Sequence, residues 1–290
     1  MKKISVFGAS GFVGSKFCTL YPDECQAEAR SVVRPEHDEV LYLISTTHNY
    51  HVYDDLEIDI ETNLKRLMLV LEQCRNRDVT FNFVSSWFVY GTQEKLPVAE
   101  DAVCRPRGFY SITKKCAEDL LVSFCRTFGK KYRIFRLSNV YGPGDRFSKK
   151  KNALQFMVDR LIREESVDLY QGGSIIRDYL HVDDICRGIR LCMREAPLNE
   201  ITNIGSGEAL RVGDLIEYCR QKLGSKSVIS SINPPEFHST VQAKDFYLDT
   251  TRVKRLGFVP EIDIRRGLDE VMAAMMDAAR APASRAPDGS

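Results

Sequence analysis

The sequence predicts an α/β fold, a doubly wound parallel sheet followed by a small C-terminal lobe. Three observations carry this. A short apolar run, Ile4-Ser5-Val6-Phe7, leads directly into Gly8-Ala9-Ser10-Gly11-Phe12-Val13-Gly14 and then an apolar stretch to Leu20. Further β-rich runs then alternate with segments whose apolar residues recur at helical spacing. Finally, Gly142-Pro143-Gly144-Asp145 breaks the alternation and starts the lobe.

Three glycines between a strand and a helix suit a dinucleotide. The first permits the tight turn, the second lets the backbone approach a pyrophosphate, and the third lets helix pack on strand. The fold is therefore Rossmann-like, with a helix over about Phe12–Leu20. Only residues 21–39 separate that helix from the next clear strand, Val40–Ile44. One strand fits there, near Ala29–Val33, but a helical crossover does not. A trimmed sheet edge with an extended link is expected. The strand would end at Arg34, where an acidic residue would bind the adenosine ribose and select NAD. Arg34 favours the 2′-phosphate of NADP instead, while Glu36 and Asp38 remain within reach of the ribose, so NAD and NADP both stay open.

Leu64, Leu67, Met68, Leu71 and Cys74 recur at helical spacing in residues 61–75, and Ala117, Leu120, Leu121, Phe124 and Phe128 do so in 111–128. Both faces suit core packing or a four-helix contact with a second subunit. Between these helices, Val79–Val84 reads as a strand ending at Ser85-Ser86. Tyr110 and Lys114 are four residues apart, which on a helix puts both on one face. An ammonium beside a phenol favours the phenolate and lets it exchange a proton near neutral pH. Ser86, at a strand end, can hold a substrate oxygen. The Tyr/Lys spacing recurs by chance in many helices, so the surrounding motifs decide its weight.

After the strand Tyr132–Leu137 come Ser138-Asn139 and the Gly/Pro break, then Lys149-Lys150-Lys151, which reads as a solvated face or a phosphate flank. A helix over 152–165, the turn and strand through Arg177-Asp178, a helix capped by Asp183 or Asp184, and helices near 212–223 and 263–279 complete the chain.

Composition narrows the classes. The net charge is +1, so neither a nucleic acid nor an anionic membrane is implied as partner. The nine cysteines are odd in number and form no C-x-x-C pair, which points to reduced core thiols, with no metal site expected. The first apolar run reads as a strand rather than a signal peptide, and no apolar stretch approaches the ~20 residues of a membrane span. A cytoplasmic protein is expected.

Together these stretches resemble the extended short-chain dehydrogenase/reductase family, in its NAD-dependent epimerase/dehydratase (nucleotide-sugar) branch. The resemblance runs through the glycine loop 8–14, Asn63, Ser85-Ser86…Val89-Tyr90-Gly91, the Tyr110/Lys114 pair, Arg136–Pro143, Arg177–Asp184 and Leu248-Asp249…Pro260. It implies a Rossmann dinucleotide-binding domain over 1–145, with 178–206 returning to it. It also implies a small interleaved substrate-binding lobe over 146–280, and 281–290 reads as a disordered tail. The implied catalytic residues are Ser86, Tyr110 and Lys114. Lys114 would lower the Tyr110 pKa and hold the nicotinamide ribose. The NAD or NADP site would comprise Gly8, Ser10, Gly11, Phe12, Val13, Gly14, Arg34, Ser45, Thr46, Asn63, Tyr110 and Lys114. A nucleotide-diphosphate sugar would meet Ser86, Trp87, Asn139, Asn152, Arg177 and His238. Arg177 would pair with the diphosphate, or else form an ion pair with Asp178 or Asp183. His238 would stand in weakly for a second phosphate-binding arginine that the sequence lacks. In the 4,6-dehydratases an Asp-Glu pair follows the catalytic Ser/Thr, and here Trp87 and Phe88 replace it. Dehydration is therefore disfavoured, as is decarboxylation. Four-epimerisation is expected, with a 4-keto-6-deoxysugar reductase as the alternative and a homodimer through the two apolar helices. A non-catalytic dinucleotide-binding regulator is a rival that the intact Ser/Tyr/Lys set argues against.

Overall fold

Short apolar runs become strands because both faces of a parallel sheet are covered. The computed structural model describes residues 3–145 and 152–280. In it β1 (Ile4–Phe7), β2 (Cys25–Ala27), β3 (Glu39–Tyr42), β4 (Thr80–Ser86) and β5 (Lys131–Leu137) join the strand Glu200–Ile204 in a six-stranded sheet. The order runs from Glu200–Ile204 through β5, β4, β3 and β1 to β2, and every pairing is parallel. The lysine run 149–151 and the tail 281–290 lie outside the described residues.

The first edge of the sheet is trimmed as expected, but the strand is displaced. It occupies Cys25–Ala27, not residues 29–33, and has three residues. Val32 and Val33 instead pack sideways onto the core beneath the sheet. No helix separates β2 from β3.

Helices cover both faces. α1 (Phe12–Leu20) and α5 (Val182–Glu195) bury Phe17, Ile185 and Ile189 against Leu41 and Phe135. On the other face α2 (Arg66–Cys74) and α3 (Phe109–Thr127) bury Leu67, Leu71, Ala117 and Leu121 against Phe81 and Phe83. The expected single helix over 61–75 is split, because Ile60–Lys65 winds as a wide π-type turn ahead of α2. Cys74 and Cys125 belong to one core and Cys186 and Cys192 to the other; all nine cysteines are free. Cys116, also on α3, is only half-buried.

Beyond the sheet, α4 (Ala153–Ile162) packs Leu154, Val158 and Leu161 against Ile216, Leu268 and Val271. The strand Val167–Tyr170 pairs in parallel with Ile229–Ile232 under this core. The buried Asp178 carboxylate ties the two regions together, accepting from the backbone N–H of Ser206 (2.9 Å), Gly207 (3.2 Å) and Leu248 (3.2 Å).

The turn between β1 and α1 is tightly closed. Gly8 holds φ at +85°, and the Gly11 N–H donates to the Gly8 carbonyl at 3.0 Å. A Cβ on Gly14 would stand 2.2 Å from that carbonyl oxygen. Both partners are backbone, so neither can swing away. Gly14→Ala is expected to destabilise the protein by about 1–3 kcal/mol, the cost of overpacking. Urea denaturation checks this: the midpoint should fall with an unchanged slope, and an unchanged midpoint would show that the turn has slack.

Candidate active site

Four sheet strands and α3 deliver the site residues to one place. Beyond the ends of β1, β3, β4 and β5 lies a cleft of about 1100 Å³, bounded on its other side by α4, Val167–Tyr170 and residues 233–242. Gly8 and Ser10 to Gly14 line it where α1 begins. Gly11 caps α1 without a side-chain bond, and the first turn holds no acidic residue. Its amides are thus available to an anion.

Ser45 and Thr46 follow β3 and also line the cleft. They are held by Asn63 from the π-type turn. The Asn63 Oδ1 accepts from the Thr46 N–H (2.8 Å) and the Ser45 hydroxyl (3.1 Å). Its Nδ2 donates to the Thr46 Oγ1 and to Thr113 Oγ1 on α3, both at 2.9 Å. Asn63 is buried and does not line the cleft. The expected cofactor contact is therefore corrected to a tie between the β3 loop and the helix that carries Tyr110 and Lys114. The wide turn is what aims its amide inward.

Tyr110 and Lys114 lie on the buried face of α3, and Ser86 ends β4; all three line the cleft. Burial raises the Tyr110 pKa, opposed by hydrogen bonds with the Ser86 and Ser45 hydroxyls. The net shift is upward, contrary to the expected lowering. The Lys114 Nζ instead donates to the Val84 carbonyl (2.7 Å) and sits 4.2 Å over the Phe83 ring. Burial drops its pKa to about 7, with the Glu118 carboxylate pulling the other way. Glu118 is itself clamped by Arg136, at 3.0 and 2.7 Å.

Trp87 is both packed and at the cleft wall. Its ring stacks on Phe88 (4.1 Å) and meets Phe246 at a tilt (4.5 Å), and its Nε1–H donates to the Asn139 Oδ1 at 3.2 Å. Phe88 meets the Tyr110 ring edge-on at 5.6 Å. Asn139 lines the cleft but spends its Nδ2 on the Asp178 carbonyl (2.9 Å). Asn152 caps α4 in the left-handed conformation, accepting from the Gln155 N–H and donating to Asp145.

Arg177 forms no ion pair with Asp178 or Asp183. Its guanidinium donates to the carbonyls of Ile176 (2.8 Å), Lys244 (2.6 Å) and Ala243 (2.8 Å) and stands 5.5 Å from the Trp87 ring. Burial lowers its pKa, since no carboxylate among the described residues comes within ion-pair distance. Nε–H and one Nη2 proton remain without a described partner. His238 reaches the cleft and pairs with the Tyr50 hydroxyl at 2.6 Å, but burial and Arg177 press its pKa down to about 4. The imidazole is neutral at physiological pH, which corrects the expectation that it replaces a cationic arginine. Arg34 is exposed and does not line the cleft. Glu36 and Asp38 do not line it either, and the Asp38 carboxylate pairs with Arg77 at 2.6 Å.

Sequence reasoning missed Ser85 and Ser138, whose buried hydroxyls line the cleft with no described partner. Each stands at or just beyond a strand end, the same signal that singled out Ser86.

Comparisons place this geometry. The sequence profile of the NAD dependent epimerase/dehydratase family matches residues 26–205, and the chain belongs to that family. A dTDP-glucose 4,6-dehydratase of Streptomyces griseus is 30% identical over 257 residues, 87% of this chain and 75% of its own. A Methanocaldococcus jannaschii protein, named provisionally as a UDP-glucose 4-epimerase, is 28% identical over 74% of this chain and 69% of its own. A dTDP-4-dehydro-6-deoxyglucose reductase of Escherichia coli is 27% identical over 64% of this chain and 58% of its own. In fold, the chain is similar to the UDP-glucose 4-epimerase of Thermotoga maritima solved with UDP-glucose. That likeness has a TM-score of 0.86 at 24% identity and covers 96% of this chain and 99% of that one. Among the described residues no helix is long and apolar enough to cross a membrane.

The Lys114 shift carries a pH signature. Its folded pKa, about 7, lies below the roughly 10.4 of an unfolded lysine. Between those values the unfolded chain binds more protons, so stability rises with pH across that window and is lost as pH falls toward 7. The Tm of the native chain, measured from pH 7 to about 9.5, is expected to gain on that of Lys114→Met. Parallel curves would contradict the assigned burial.

Proposed function

We propose that this member of the NAD dependent epimerase/dehydratase family is a nucleotide-sugar 4-epimerase. One observation carries the reading. Ser86, Tyr110 and Lys114 meet in the cleft beside the glycine turn, while Trp87 and Phe88 stand where the resemblance puts the Asp-Glu pair of 4,6-dehydratases. Neither aromatic side chain moves a proton. The Streptomyces griseus relative is a dehydratase, so the chemistry parts from it at these two positions.

The residues fit a nicotinamide dinucleotide. The closed glycine turn at the start of α1 offers amides to a pyrophosphate, and the cleft continues from there to Tyr110. When bound, that cofactor accepts and returns a hydride at sugar C4. Tyr110 takes the proton from the C4 hydroxyl and gives it back. Ser86 donates to or accepts from the same oxygen and keeps it at the phenol. Lys114, close to half-charged near neutrality, holds the ribose hydroxyls. The unused donors of Arg177 face the diphosphate, which gives this buried cation its counter-charge. Asn63 works as a positioning residue. Epimerisation requires the keto sugar to present either face, and packed aromatic walls allow that better than a ring of fixed polar groups. The sheet region of 1–145 with 178–206 would hold the dinucleotide, and 146–280 the nucleotide sugar. Arg34, the reason for considering NADP, stands away from the cleft, which supports NAD.

A 4-ketoreductase is the second reading, favoured by the likeness to the Escherichia coli reductase and by the same Ser/Tyr/Lys set. The partner surface also follows. Ile60, Leu69, Ile112 and Leu120 remain 36–50% exposed on the outer side of α2, α3 and the turn before them, a face suited to a second copy.

Tyr110→Phe tests the role of the phenol. Turnover of a nucleoside-diphosphate sugar to its 4-epimer should fall by about 10²–10⁴-fold, with dinucleotide binding and Tm near those of the native chain. Near-normal turnover would remove Tyr110 from the chemistry.

A further inference from the structure

The glycine turn, the hydroxyl cluster and Arg177 account for much of the cleft, but not for its far end. That end is walled by Phe156 and Arg160 of α4, by Asp168, Leu169 and Tyr170 and by Asn233. Along the strand burial alternates: Val167 and Leu169 enter the lobe core, while Asp168 is exposed; Asp168 and Leu169 both line the cleft. The Asp168 carboxylate has no hydrogen bond or ion pair among the described residues. Arg160, the nearby cation, is committed elsewhere. Its Nε donates to the Ser166 carbonyl at 2.5 Å and its Nη1 pairs with Glu165 at 3.0 Å. A carboxylate thus lines the cleft wall with no compensating partner among the described residues.

With the substrate's nucleobase at this end of the cleft, we propose that Asp168 selects guanine. The inference rests on the nucleotide-sugar reading. With the reacting sugar carbon at Tyr110 and the dinucleotide along the glycine turn, the rest of the substrate extends past Arg177 into the lobe half of the cleft. The base then reaches α4 and the Val167–Tyr170 strand. Phe156 and Tyr170 offer apolar surface to any base, because every base has a π-face. The carboxylate discriminates. Guanine presents two adjacent donors, N1–H and N2–H, which match the two carboxylate oxygens. Uracil and thymine present one N–H between two carbonyl oxygens, which a carboxylate repels. Adenine and cytosine offer an exocyclic amine beside an acceptor nitrogen. Only guanine makes two charge-assisted bonds, and a carboxylate taken from water needs both.

The test is calorimetric titration of the purified full chain, with its dinucleotide present, using GDP, UDP, dTDP, ADP and CDP as probes. GDP is expected to bind at least about tenfold more tightly than any other, the discrimination of a bidentate base contact. Asp168→Asn should weaken GDP by about tenfold, leave UDP within about twofold and leave Tm unchanged, since the side chain is exposed and unpartnered. UDP or dTDP binding as tightly as GDP overturns the guanine assignment alone, as does an Asp168→Asn variant with undiminished GDP affinity. A chain that binds the dinucleotide but none of the five overturns the nucleotide-sugar reading as well.

Discussion

Parallel pairing in a common register is the constraint on which the rest depends. Phe7 lies beside Tyr42, Tyr42 beside Phe83, Phe83 beside Ile134 and Ile134 beside Ile201. Parallel strands put all their C-terminal ends on one edge. The loops that carry Gly8, Ser45, Ser86 and Ser138 therefore emerge together, although the chain separates them by more than a hundred residues. A shift of one residue in any strand would turn its polar end away from the cleft and its apolar faces out of both cores. The apolar layers of α1 with α5 and of α2 with α3 fix that register, so the core positions the chemistry.

Buried charge is the second constraint. Lys114, Glu118 and Arg136 lie in line between α3 and β5, and Glu118 serves both cations unequally. It is bonded twice to Arg136 and only faces Lys114 through space. Lys114 is left without a carboxylate at hydrogen-bond distance, and its pKa falls to a value where proton exchange is easy. Arg177 shows the same arrangement on the other wall: held by three carbonyls, cationic, and short of an anion. Such groups are costly in a protein that never binds a counter-charge. Both cations line the cleft, where a ligand can supply it.

Much of this was legible in the sequence. The glycine spacing gave the turn and its tolerance: the position read as helix-on-strand packing, Gly14, has no room for a Cβ. The alternation of apolar runs and helical stripes placed β1, β3, β4, β5, α1 and α3 to within a few residues. The strand at the edge was misplaced for a physical reason. Residues 29–33 carry the apolar β-branched pair, but Val32 and Val33 pack under the sheet instead of pairing at its edge. Cys25–Ala27 pairs with β1 without any alternating pattern to announce it. Side-chain partners were the least legible. Asn63 reads as a cofactor contact until the π-type turn aims it at Thr46 and Thr113. Arg177 reads as an ion-pair or phosphate residue, and two of its three carbonyl acceptors, at 243–244, are distant in the chain. His238 reads as a cation until burial makes it neutral.

The central claim is that the chain performs a closed redox cycle at a sugar carbon, with the cofactor retained throughout. The most direct measurement is the identity and amount of dinucleotide released when the purified protein is denatured, read by chromatography and absorbance. The account predicts near-stoichiometric NAD(H), because an epimerase that returns its hydride has no need to exchange the cofactor. An empty protein that binds NADPH more tightly than NADH would contradict it and assign the Ser86, Tyr110 and Lys114 set to a reductase.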